Sequence, residues 1–373
     1  MLNSRTSVWR HFDLWLMAAV LLLTAYGVLM IRSAVTGAPA FAPLPGLQVR
    51  WAAIGMVIMF FLASIDYRIL TSIHWYVYGG LVLSLILVLL IGVSNAGIGA
   101  QRWLQIPGIN FFLQPSEFGR IFIAVTFAQF LANRQNQIHH FSNTIIAIVY
   151  MGIPTALIFL QPDLGMSILY IVIWFIIIWL AGLPLSHFVV LAVVGVASLL
   201  VVYPNLQDYQ KDRITTFVNP EAADEDDIFN INQALISIGS GGSLGKGYGQ
   251  GTQSQLGFLR VQHTDFIFSV IVEEMGLVFG ALVVLGLMAF ILMRILRVAS
   301  LTPDPAGKYM CAGIAAILFF QTTVSVGMNV RILPVTGLTL PFVSYGGSSL
   351  ITLFIGIGVV QSVLMRHRKQ EFG

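Results

Sequence analysis

Apolar stretches long enough to cross a bilayer recur from end to end of this chain, and that recurrence limits the fold more than any motif does. About ten runs reach, or nearly reach, the roughly 20 residues that a tilted helix needs to pass the hydrocarbon core. They fall at about 14–31, 51–65, 75–93, 118–131, 144–160, 164–180, 188–202, 266–293, 309–330 and 350–365. In lipid every backbone N–H and C=O must find its partner within the protein, so runs of this kind fold as helices. With 57% of its 373 residues hydrophobic and 9% charged, the chain lies outside the range of soluble domains. The expected fold is an all-α polytopic membrane protein, a single transmembrane domain over 1–373 with about ten helices. A large outer loop at 203–265 separates the seventh helix from the eighth.

Orientation follows from Lys and Arg in the short connections. With the N-terminus inside, the cytoplasmic side collects Arg5, Arg10, Arg68, Arg134, Arg294, Arg297, Lys308, Arg366, Arg368 and Lys369. Apart from the long loop, the other side holds only Arg32, Arg50, Arg102 and Arg331, with Arg120 inside a span. The expectation is a multi-pass protein of the cytoplasmic (inner) membrane with both termini in the cytoplasm. The net charge of +3 comes without a basic patch interleaved with aromatics, which argues against nucleic acid. Cys311 is the single cysteine, so no intrachain disulfide or cysteine-based metal site can form. No cleavage pattern follows the first apolar run, which is expected to stay as an anchor.

The outer connections hold the unusual chemistry. The stretch 230–274 is polar, punctuated by glycine and without clear structure of its own, and a loop of that length in a compact protein is commonly functional. It leads through His263 and Asp265 into the eighth span. A carboxylate at a water boundary beside apolar residues can accept a proton, and it can equally cap the helix it precedes. Glu117 and Arg120, spaced i,i+3 in QPSEFGR, can pair on one helix face or contact substrate. Asp163, in the turn Gln161–Pro162–Asp163, is placed to cap the sixth span, with a substrate contact as the other reading. Arg102, Arg213 and Lys246, each near glycine or polar backbone, suit a phosphate or pyrophosphate, and each could also be solvated charge. A nucleotide loop is excluded, because G-x4-G-K-[ST] would need glycine at Ser240 and a hydroxyl at Gly247. Pro334, Gly337, Pro341, Gly346 and Gly347 keep 329–350 from forming a regular helix, so this segment should fold back at the outer face and line a cavity. Glu273 and Glu274 lie two turns into the eighth span, where an acid must face the bundle, either orienting a basic partner or bonding a neighbouring helix.

In order, GAQRWLQIPG, QPSEFGR, QPDLG, the NPE near 219–221, IGSGG with GKG, GTQSQL, HTDFIF, EEMG and LPVTGLTLPFVSYGGSSL span the chain from the third crossing to its end. Together they resemble the SEDS family (shape, elongation, division and sporulation), more closely its RodA branch than its FtsW branch. The resemblance implies a peptidoglycan glycosyltransferase that polymerises lipid II into nascent glycan at the outer face, during cell elongation and in the company of a class B penicillin-binding protein. It places the family's essential aspartate at Asp265, as general base, with undecaprenyl pyrophosphate as leaving group. The substrate contacts it implies are Arg102, Glu117, Arg120, Asp163, Arg213, Lys246, His263 and Ser344. A divalent cation, magnesium or manganese, is one alternative source of positive charge for the pyrophosphate. No nucleotide is implied. The chain departs from the family where Arg120 replaces a usual lysine and where LGFLRVQHTDF replaces a common LEFLPERHTDF, leaving Gly257 in place of an acid.

Two rivals remain. A lipid II flippase or other transporter would need acids near mid-membrane and access from both faces, whereas the polar groups here gather on one side. A scaffold that only positions a synthase would leave the buried acids without a reason.

Overall fold

The computed structural model describes residues 9–94, 101–105, 112–219 and 225–367. The first seven expected crossings are α1 (Leu14–Ala34), α2 (Leu44–Ser64), α4 (His74–Ile91), α5 (Pro115–Ala132), α6 (Phe141–Leu160), α7 (Leu164–Leu180) and α8 (Leu185–Val202), with the short α3 (Tyr67–Ser72) between the second and third. The last three are α12 (Ile267–Gly276) continued by α13 (Val283–Leu301), then α14 (Pro305–Asn329) and α15 (Gly347–Arg366). The connection from α4 to α5 forms a small antiparallel sheet of β1 (Val93–Ser94), β2 (Gln101–Gln105) and β3 (Phe112–Leu113). The stretch expected to be plain loop is largely helical instead, with α9 (Asp208–Val218), α10 (Glu225–Gly241) and the one-turn α11 (Thr252–Gln255). Its sequence is polar, but Ala234 and Ser237 one turn apart on α10 are fully buried, and the bundle supplies the packing that local pattern does not reveal. Arg5, Arg368, Lys369 and residues 220–221 of the NPE motif lie outside the described residues.

Burial sorts the helices into two layers. In α14 and α15, 78% and 83% of the spanning residues are buried, against 22% in α4 and 44% in α1. The helix α5 is too polar to count as a lipid-facing span, yet it is enclosed on nearly every side. Those two facts have one cause: Glu117 and Arg120 can sit at membrane depth only where protein rather than lipid surrounds them. Small residues let the inner helices approach. A Cβ at Gly358 on α15 would stand 2.9 Å from the Met59 carbonyl on α2, and one at Gly55 would strike the Phe354 ring at 2.6 Å.

The eighth crossing is broken. Gly276 has φ 72°, and a π-helical segment (Leu277–Leu282) follows it. A break of this kind leaves carbonyls and amides unpaired inside the membrane, which is tolerated only if other protein groups satisfy them. Here residues 242–249 do so. The amides of Lys246 and Gly247 donate to the Glu273 and Glu274 carbonyls at 3.0 and 2.9 Å, and those of Leu277 and Val278 donate to the Gly242 and Ser243 carbonyls, both at 3.0 Å. A Cβ at Gly276 would lie 2.3 Å from the Gly245 nitrogen, so this backbone-to-backbone seam admits only glycine.

The side chains of Glu273 and Glu274, both fully buried, complete the seam. Glu273 accepts from Gln253 N (2.9 Å), Ser254 N (3.2 Å), Thr252 Oγ1 (3.2 Å) and Lys246 Nζ (3.0 Å). Glu274 accepts from Ser33 Oγ on α1, Gly249 N and Gln255 Nε2. The glycine-rich motif therefore mends a helix.

A candidate active site at the mouth of the bundle

Three consecutive carbonyls before α12 are pinned from two directions. Tyr345 N donates to the His263 carbonyl (2.9 Å), Ser344 Oγ to that of Thr264 (2.7 Å) and Asn329 Nδ2 to that of Asp265 (2.9 Å). Ser344 Oγ in turn accepts from Leu340 N (2.9 Å), and Asn329 Oδ1 accepts from both N and Oγ of Ser269 (3.1 and 2.7 Å). Gln48 on α2 clasps the same turn, donating to the Ser344 carbonyl and accepting from Gly346 N. With its backbone held, Asp265 has its carboxylate left over. The helix takes Phe266 as its N-cap and has no side-chain cap, so the capping alternative for Asp265 does not describe this structure.

That carboxylate lines a cavity of about 320 Å³ at the end of the bundle. Asp212, Arg213 and Thr216 of α9 form one wall, Arg331 and the segment 333–335 another, and Asn230 of α10 part of a third. The segment after α14 is free of regular structure, as its prolines and glycines require, and Gly337 at φ 76° turns it past the site. A Cβ at Gly337 would stand 3.8 Å from Arg213 Nη1 and 4.0 Å from Asp265 Oδ2, so guanidinium and carboxylate flank one glycine. Burial pushes the Asp265 carboxyl above the usual aspartate range, while the Arg213 guanidinium and a hydrogen bond from Thr264 pull it partly back. A partly desolvated carboxylate of raised pKa is a stronger proton acceptor than one in water.

A second polar group adjoins the first. Asp163 caps α7 through Met166 N (3.2 Å), accepts from Gln114 Nε2 (3.2 Å) and lies 3.9 Å from Arg102. Arg102, on β2, also donates to the carbonyls of Gln161 and Pro162. Burial raises the Asp163 carboxyl, and Arg102, the Met166 amide and Arg213 oppose the rise. Arg213 thus acts on both acids. Behind them Arg120, fully buried, pairs with Glu117 at 2.9 Å and donates to Ser349 Oγ at 3.0 Å. Its Nε and Nη1 meet no acceptor among the described residues.

The expected site residues therefore divide. Asp265 and Arg213 face the cavity together, whereas Arg102 and Asp163, with Glu117 and Arg120, form the adjoining charged group. Ser344 and His263 support the turn; the His263 ring packs 4.8 Å from Phe41 and 6.1 Å from Tyr345, and burial lowers its pKa. Lys246 does not line the cavity. Its ammonium is engaged by Glu273, and the amides of Lys246 and Gly247, which looked fit for phosphate, are taken up by the helix break. Asp212, Arg331 and Asn329 were missed as site residues. The i,i+3,i+4 set Arg213, Thr216 and Phe217 was the readable sign that one face of α9 turns inward, but nothing local marks Arg331, whose φ of 58° aims it back toward α10.

No group of three or more His, Cys, Asp or Glu side chains suited to a metal occurs among the described residues. Among the described residues the carboxylates of Asp212 and Asp265 line the cavity, and magnesium is held by one or two carboxylates when phosphate oxygens and water complete its shell.

A helical bundle with seven helices long and apolar enough to cross a membrane among the described residues, and an acid–arginine cavity at one end, defines an all-α polytopic membrane protein with a polar site at the end of the bundle. Residues 13–369 match the family model for the FtsW/RodA/SpoVE cell cycle proteins, and the chain belongs to that family. Peptidoglycan glycosyltransferase MrdB of Escherichia coli is 38% identical over 364 residues, covering 96% of this chain and 95% of the relative. Among solved structures, a chain of a peptidoglycan synthase complex that coordinates polymerisation and crosslinking superimposes with a TM-score of 0.81 at 29% identity, covering 97% of this chain and 99% of the other. The rod shape determining protein RodA of Thermus thermophilus does so with a TM-score of 0.70 at 28% identity, covering 96% and 98%.

Proposed function

We infer that this chain is a peptidoglycan glycosyltransferase, and we propose that it polymerises lipid II at the outer face of the cytoplasmic membrane with Asp265 as general base. The observation that carries the assignment of the base is the placement of Asp265 and Arg213 beside Gly337 in a cavity at the bundle's end. The 4-hydroxyl of one lipid II sugar attacks C1 of another saccharide. Its proton passes to the Asp265 carboxylate, the C1–O bond to the lipid pyrophosphate breaks, and C1 inverts. Arg213 and Arg331 are the cavity's cations, placed for the charge that grows on the leaving pyrophosphate. A divalent cation, when bound, would be held by Asp212 with phosphate oxygens and water and would supply further positive charge there, leaving Asp265 free as the base. Asp265 stands beyond the first residue of its helix rather than at mid-membrane, which favours a transferase over a flippase. The Lys and Arg distribution supports placing both termini in the cytoplasm. The likeness to a synthase complex supports a crosslinking transpeptidase, a class B penicillin-binding protein, as partner.

The test is polymerisation of labelled lipid II by purified protein with a transpeptidation-only partner, comparing wild type with Asp265→Asn. Glycan from wild type and none from a folded, partner-bound variant is expected. Equal product from both would remove Asp265 from catalysis.

A further inference from the structure

A second polar cavity lies at the opposite end of the bundle. Helix α1, capped by Asp13, ends at Ala34, whose carbonyl accepts from Gln262 Nε2 near the turn that holds Asp265, so the start of α1 marks the far end. There His11 and Asp13, the end of α13 at Arg294, Arg297 and Leu301, and the end of α15 at Leu364 and His367 enclose about 240 Å³. Its floor is built rather than incidental. The N and O of Asp13 both pair with Gln361 (2.9 Å each), and Asp13 Oδ1 caps Leu16 N (3.0 Å). Asp13 Oδ2 takes both Nε and Nη2 of Arg294, at 2.7 and 2.6 Å.

Among the described residues Asp13 is the single carboxylate lining this cavity and is engaged by Arg294, so these residues leave it a net positive charge. Arg297, one turn further on the same helix, forms no ion pair among the described residues. The His11 and His367 rings stand edge to face on the remaining side with centroids 6.0 Å apart, His367 Nδ1 donating to the Leu364 carbonyl. Two guanidiniums beside one carboxylate, flanked by two imidazoles, form an anion site of the chemistry that binds phosphate.

The rim decides what carries that phosphate. Leu301 and Leu364 line the cavity itself. Immediately beside it Leu14 and Trp15 on α1 are 64% and 71% exposed, and Leu296 on α13 is 51% exposed. Apolar side chains this open on a transmembrane bundle face acyl chains, and tryptophan favours the headgroup boundary. A free phosphate would gain nothing from such a rim, whereas a phosphodiester with two acyl chains would meet charge above and hydrocarbon below. We propose that this cavity is a binding site for the phosphate headgroup of an anionic glycerophospholipid, separate from the catalytic cavity. Basic pockets between transmembrane helices recognise headgroups in this way. The inference rests on the membrane fold and not on the transferase assignment.

The experiment is native mass spectrometry of the purified full chain titrated with phosphatidylglycerol or phosphatidylcholine. Wild type should retain phosphatidylglycerol preferentially, and Arg297→Glu, which removes one cation and adds a like charge, should lower that retention by roughly tenfold. Arg297 is exposed, so the variant should keep its melting temperature, and Arg297→Gln provides an intermediate loss if it does not. Lys308→Glu, an exposed reversal outside the cavity, should change nothing. Equal retention of the two lipids by wild type, or equal phosphatidylglycerol retention by wild type and Arg297→Glu, would overturn the site. A third arm adds millimolar inorganic phosphate: failure to displace the lipid supports the headgroup reading, and complete displacement would replace it with a free-phosphate site.

Discussion

Asn329 Nδ2 lies 2.9 Å from the carbonyl oxygen of Asp265, and its Oδ1 accepts from both N and Oγ of Ser269, so one amide on α14 locks the first turn of α12 and the residue that precedes it. Asn329 is fully buried and does not line the cavity, which makes it a positioning residue. Asn329→Leu keeps the branched shape and removes the hydrogen bonds to Asp265, Ser269 and Ser325, leaving the Asp265 carbonyl free to shift. Polymerisation rate should fall on the order of 100-fold with the lipid II KM nearly unchanged, because a misplacement of about 1 Å costs that much. A raised KM at an unchanged rate would argue against positioning.

The pH profile of polymerisation carries a signed expectation. The proposed base must be deprotonated to act, and burial raises the Asp265 pKa, so activity should be lost as pH falls through a value above the ordinary aspartate range. Arg213 pulls that pKa down. In Arg213→Gln the acid limb should therefore move to higher pH, in addition to any loss of rate from the missing cation. A limb that stays put, or moves down, would show that Arg213 does not act on the base.

Lys246 and Glu273 offer a separation of stability from binding. Glu273 is fully buried with four donors, and deleting it leaves the amides of Gln253 and Ser254 without an acceptor, at about 1–3 kcal/mol for each unsatisfied group. Glu273→Ala should melt well below wild type in detergent. Lys246→Met should lose less, since its side chain is 26% exposed, and should leave the KM for lipid II unaltered. A tenfold rise in that KM would return Lys246 to the phosphate.

Two glycines with nearly equal φ should behave differently when given a methyl group. Gly276→Ala puts Cβ 2.3 Å from the Gly245 nitrogen, backbone against backbone, and should reduce folded yield severely. Gly337→Ala has room, with its nearest neighbours at 3.8 Å, so it should cost only the strain of a left-handed residue, about 1–2 kcal/mol. Its methyl would stand between Arg213 and Asp265, and activity should fall further than the melting temperature suggests. Comparing thermal melts with polymerisation rates for the two variants checks both statements.

The crossings were legible because partition into lipid is a local property: each run of apolar residues favours hydrocarbon whatever its neighbours are, and a helix is the form that pairs its own backbone. Asp265 was legible through the motif that surrounds it, and Glu117 with Arg120 through a spacing that one helix imposes. Which polar group meets which was decided only by the arrangement of helices. Lys246 and the glycine amides look like a phosphate loop until Gly276 breaks the eighth crossing and needs them. Asn329 and Ser344 look like plain polar residues until they close on the carbonyls of 263–265 from 64 and 80 residues away. A hydrogen bond depends on geometry within a few tenths of an ångström, and across that much chain the tertiary packing alone sets it.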